Sequence, residues 1–95
     1  MSGIKLGSLV LSKQGHDKGQ YYVVVGFAQN KILICDGEFK FLSKPKQKNP
    51  NHLQDLNYSD SEIATKLENG LKINDQMIYH AIVKFKKLIK EKLYG

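Results

Sequence analysis

The hydrophobic period of this chain changes once, close to residue 58, and that change limits the folds open to it. Before it, short β-branched and aromatic runs are separated by turn residues; after it, apolar residues recur every three or four positions. The first part therefore reads as short strands at 9–12, 21–28, 31–36 and 38–42, divided by "QGHDKG", "QN" and "DG". The Asp36-Gly37 pair is a strong two-residue hairpin signal. In the fourth run, Phe39 and Phe41 share one face and Lys40 the other, so the alternation predicts a buried aromatic pair and an outward cation. "SKPKQKNPNH" then ends the sheet: two prolines and spaced lysines fit an exposed, extended loop. A short fifth strand or turn near 52–56 closes the β segment.

Beyond it, Ser59 and Glu62 have the spacing of a capping box, and Gly70 fits the position just past a helix end, so a short helix is predicted over 60–69. Asn74 or Asp75 can cap a second helix. Along it Ile78, Ala81, Ile82, Phe85, Leu88, Ile89 and Leu93 form one apolar stripe about five turns long. The expected class is mainly β with C-terminal helices, a small barrel or sandwich over 1–57 followed by a helical extension over 58–95.

Charge narrows the partners. The chain carries a net charge of +6, which favours polyanions or acidic protein surfaces. All 15 basic residues are lysine, so planar, bidentate arginine recognition of guanine or phosphate is excluded, and contacts to phosphate must be made by point charges. Residues 40–52 hold four lysines and no acid; residues 53–75 hold five acids and two lysines. Cys35 is the only cysteine, which excludes an internal disulfide and a cysteine-based zinc site. The opening "MSGIKLGS" lacks the apolar core of a signal peptide, and no run is long enough to cross a bilayer, so a soluble, cytoplasmic protein with no membrane attachment is expected.

One stretch asks for more than a turn requires. In "GSLVLSKQGHDKGQYYVVVGF", Gly15 and Gly19 bracket His16, Asp17 and Lys18, although glycine and aspartate alone satisfy turn geometry. This stretch resembles the KOW motif, a strand, a glycine-bounded loop with a lysine, and a second strand ending near a glycine. Gly7 opens the first strand, Lys18 holds the cation position, and Gly26 follows the valine run. With "ICDGEFKFLSKPKQKNPNHLQ", the likeness extends over about residues 4–55 to short bacterial KOW-containing RNA-binding proteins, themselves similar to an archaeal and eukaryotic large-subunit ribosomal protein. The resemblance implies an SH3-like five-stranded barrel and binding to RNA, above all ribosomal RNA, with ribosomal proteins as further partners. The chain departs from the family in its long final helix and in having lysine where the family often has arginine.

Candidate RNA-binding residues are Lys13, Gly15, His16, Lys18 and Gly19 in and beside the loop, and Lys44, Lys46 and Lys48 in the basic segment. Glycines allow close approach of backbone N–H groups, lysine places a mobile ammonium, and His16 adds a hydrogen bond or a stacking face. Asp17 repels phosphate, so its expected work is to accept hydrogen bonds from the loop's own backbone. A solvated hairpin and a solvated basic loop are the plainer alternatives. One of Tyr21 and Tyr22 is expected in the core, the other is free to meet a base. Cys35 fits a small buried side chain better than a nucleophile, the histidines lack metal-ligand spacing, and no catalytic constellation or cofactor motif appears. The expected protein is therefore not an enzyme and needs no cofactor. The second functional class is a protein-interaction module. In it the final helix docks on a ribosomal, transcription or other partner, or pairs with its copy in a homodimer; the same stripe is also able to cover the sheet itself.

Overall fold

The computed structural model describes the backbone of residues 3–94 and the side chains of residues 3–92. Five strands, β1 (Ser8–Ser12), β2 (Tyr21–Ala28), β3 (Lys31–Cys35), β4 (Lys46–Lys48) and β5 (Leu53–Ser59), precede two helices, α1 (Ser61–Glu68) and α2 (Asp75–Tyr94). The strands form one antiparallel sheet in the order β4-β3-β2-β1-β5. Among the described residues no ladder joins β4 to β5, and a 3-10 turn, Pro50–His52, sits between them in sequence.

Alternation along the strands gives the sheet two apolar faces. Val10, Tyr22, Val24, Ile32, Ile34 and Leu53 make one buried cluster. Leu9, Val23 and Cys35 point the other way and pack with Ile63 of α1 and Ile78, Ala81, Ile82 and Phe85 of α2. The stripe on α2 thus covers its own sheet, and each fully buried aliphatic or aromatic side chain there contributes about 1.5–3 kcal/mol. Phe85 lies between the layers, its ring 5.9 Å from that of Tyr21 and 5.0 Å from that of Tyr58. Farther along, Ile89 is partly buried and Leu88 is exposed, while Leu93 lies outside the described side chains.

Four local expectations need correction. The strand expected at 38–42 does not form. The Asp36 carboxylate instead accepts hydrogen bonds from the backbone N–H groups of Glu38, Phe39 and Lys40 at 2.8–3.0 Å, which competes with a ladder and winds the chain into a compact turn. The edge strand is β4, inside the segment expected to be an extended loop; Lys46, Gln47 and Lys48 pair with Ile34, Leu33 and Ile32. Consequently Phe39 and Phe41 are not a buried pair: they are 74% and 42% exposed. The first helix is capped by Asp60, whose carboxylate accepts from Ile63 N–H, and not by Ser59, which still pairs with Ser8 in the β1–β5 ladder. In α2, Asn74 is the cap, accepting from Met77 N–H.

Gly37 has a different meaning from a hairpin glycine. Its φ is +75°, and a Cβ there would stand 2.3 Å from the Asp75 carbonyl oxygen and 2.8 Å from the Tyr79 backbone nitrogen. The end of β3 is pressed against the first turn of α2, and only glycine leaves room. Asp75 completes the junction by accepting a hydrogen bond from Leu42 N–H at 2.8 Å. Gly37→Ala is expected to lower stability by about 2–4 kcal/mol, combining left-handed strain with a backbone clash. Urea denaturation checks this, and an unchanged midpoint would remove the close approach from the account.

Candidate nucleic-acid interface

The β1–β2 loop is short, polar and firmly held. Backbone bonds close it: Gly19 N–H donates to Ser12, Lys18 N–H to Gly15 and Gln20 N–H to Asp17. Gly15 and Gly19 take φ values of +95° and +92°, conformations costly to other L-residues, which accounts for the two bracketing glycines. Gly19 faces open space, whereas a Cβ on Gly15 would lie 3.3 Å from the Lys48 ammonium.

Asp17 is the centre of the loop, and it does not serve the loop backbone with its side chain as expected. Its Oδ1 accepts from Ser12 Oγ at 2.8 Å and from Lys48 Nζ at 2.7 Å; its Oδ2 accepts from Tyr22 Oη and Lys46 Nζ, both at 2.8 Å. The side chain is 11% exposed. Burial by itself would raise its pKa, but the hydrogen bonds from Lys46, Lys48, Ser12 and Tyr22 prevail and hold the carboxyl well below the usual carboxylate range. The same contact, after burial, pushes the Tyr22 hydroxyl above its ordinary value. Asp17 therefore clamps the loop to β4 across the end of the sheet. Its negative charge, which looked misplaced beside phosphate, is cancelled by two lysines.

The eight candidate residues separate by what their side chains do. Lys13, His16 and Lys18 are exposed on the loop, with no ion pair or side-chain hydrogen bond among the described residues, and Gly15 and Gly19 shape the backbone that carries them. Lys44 is likewise exposed. Lys46 keeps a 29% exposed side chain while paired to Asp17, so its ammonium is shared between the clamp and solvent. Lys48 is turned inward, its side chain 9% exposed and its ammonium donating to both the Gln14 carbonyl oxygen and Asp17, so its contacts hold the loop.

Of the tyrosine pair, Tyr22 is buried under the clamp, while Tyr21 is half-buried against Phe85 with the Lys86 ammonium 5.5 Å above its ring. Cys35 is fully buried, and its thiol is pushed up to about 12 by burial and by the charges of Asp75 and Asp36. Such a thiol supplies no thiolate at neutral pH. Among the described residues, no group of three His, Cys, Asp or Glu side chains is placed to hold a metal, and no helix is long and apolar enough to cross a membrane.

Sequence reasoning missed the Asp17 clamp and the outward Phe39 and Phe41. The clamp joins residues 29 and 31 positions apart, which no local spacing reveals. A signal for the phenylalanines was present, because Asp36 precedes three backbone donors it is able to collect. No protein-family model matches the chain, and no curated protein matches it at a significant level.

Proposed function

We propose that this protein is a non-enzymatic, cytoplasmic RNA-binding protein of the KOW type, built on an SH3-like barrel and associated with the ribosome through ribosomal RNA. The observation that carries the reading is the clamped β1–β2 loop, which presents Lys13, His16 and Lys18 to solvent. A loop held by four side chains loses little further conformational freedom when its lysines meet phosphate. The strand order, with β1 between β2 and β5 and a 3-10 turn ahead of β5, agrees with the barrel that the KOW resemblance implies. Lys13, Lys18, Lys44 and Lys46 carry the phosphate contacts in this reading, while Lys48 and Asp17 hold the geometry. Docking of α2 on another protein has less support, since Ile78, Ala81, Ile82 and Phe85 are already covered by the sheet.

Four phosphate contacts give an expected slope of log affinity against log salt of about −3 to −4. The test is sedimentation of the tagged protein from its own cells through a sucrose gradient at low and high salt. Migration with large subunits or whole ribosomes at low salt, lost at high salt and reduced by Lys18→Ala, is the expected result. A protein that stays at the top of the gradient at every salt concentration would rule out stable ribosome association.

A further inference from the structure

The turn between β3 and β4 displays two aromatic rings that no packing requirement explains. Phe39 is 74% and Phe41 42% exposed, in a chain whose other rings mostly serve the core. They are not loosely held: Asp36 gathers three backbone N–H groups on one side, and Asp75 accepts from Leu42 N–H on the other. A backbone tied at both ends thus holds large apolar side chains in water, at a cost in hydration that the fold does not recover.

The surroundings identify the ligand class. Phe39, Phe41 and Pro45 line an open groove of about 360 Å³ together with Lys40, Lys44 and Lys46. An apolar peptide finds three ammonium groups at this groove, and an acidic peptide finds no use for exposed rings. Rings interleaved with cations match a nucleotide whose base is free to stack and whose phosphates flank it. Glu38 is the one acid beside the rings in sequence, and it precedes Phe39 on the exposed turn. Lys46 joins this groove to the β1–β2 loop, because its ammonium is the one 2.8 Å from Asp17. Lys46 is thus common to the groove and to the clamp that holds the loop.

We propose that Phe39 and Phe41 stack on an unpaired base of the bound RNA, so that the protein selects structured RNA carrying a bulged or looped nucleotide next to the phosphates gripped by the β1–β2 loop. The inference rests on the RNA-binding reading above and adds to it a specificity that the lysines alone cannot supply, since phosphate contacts carry no information about base or pairing.

The experiment compares a perfect RNA duplex, the same duplex with one bulged adenosine, and a single-stranded oligouridylate, each fluorescein-labelled, by anisotropy at fixed salt. Wild type is expected to bind the bulged duplex at least about fivefold more tightly than the perfect one. Phe39→Ala with Phe41→Ala removes that preference and leaves affinity for the perfect duplex unchanged. Phe27→Ala, which removes a 53% exposed ring from a different groove, leaves the preference intact. Lys18→Ala weakens binding to every RNA. Because the chain has no tryptophan, Phe39→Trp supplies a single reporter whose fluorescence is expected to fall as the base stacks on it. Equal binding of bulged and perfect duplexes, with Lys18 still required, would overturn stacking and leave the RNA-binding reading standing. Absence of binding to all three RNAs at low salt would overturn both. Phenylalanine variants that lose self-association, and not the bulge preference, would assign the rings to a second copy of the chain and also overturn the proposal.

Discussion

Asp17→Asn is expected to destabilise the protein by about 3 kcal/mol at pH 7, a large share of the stability of a domain this size. The amide keeps the shape but cannot neutralise two ammonium groups, one of which, Lys48, is 9% exposed. The figure sits at the lower end of what breaking a buried pair costs, because Lys46 retains contact with water. The pH dependence isolates the charge. The native Asp17 carboxyl has a depressed pKa, so its contribution is fully present above the ordinary carboxyl value of 3.8. Below that value the unfolded chain takes up a proton that the native chain refuses, and stability falls with pH until the depressed native value is crossed. The asparagine variant has no such component. The gap between the two proteins should therefore narrow between pH 5 and pH 2.5, read as the difference in urea midpoints. A gap that stays constant across this window would mean that the clamp does not depend on the carboxylate. The loop should also loosen in the variant, with faster amide exchange at Lys18 and Gly19, whose N–H groups close the turn.

Phe85→Ala is expected to cost about 3–4 kcal/mol and to lower the melting temperature by roughly 15 °C or more. The ring is 7% exposed and lies against Tyr21 and Tyr58, on strands 64 and 27 residues earlier in the chain, so its removal leaves a cavity between helix and sheet. The measurement is thermal unfolding followed both by helix ellipticity and by near-ultraviolet tyrosine signal. Coincident transitions, both shifted downward, are the result expected of a helix that shares one core with the sheet. A wild-type melting temperature, or a helix that melts apart from the tyrosines, would make α2 an appendage and reopen the helix as a docking element.

The sheet and helices were legible where structure depends on residues close in sequence. Tyr21 to Ala28 is rich in valine and tyrosine, and it forms a strand with those ends. The stripe from Ile78 to Phe85 has helical spacing and lies on one buried face. The segment around residues 36–48 was misread because alternation in "EFKF" is satisfied equally by a strand and by a turn that the Asp36 side chain organises. Three backbone donors bound to one carboxylate decide between them, and a short edge strand of lysines and glutamine has no apolar pattern to announce it.

The candidate site divides along the same line. Sequence alone determined that the β1–β2 loop is tight, glycine-bounded and basic, because positive φ at Gly15 and Gly19 is a local demand and charge is additive along the chain. Only tertiary structure decided which charges remain available. Pairing β3 with β4 brings Lys46 and Lys48 under the loop, where Asp17 binds both and takes Lys48 out of solvent. These outcomes depend on strand register and on contacts about 30 residues apart, and local periodicity carries no record of either.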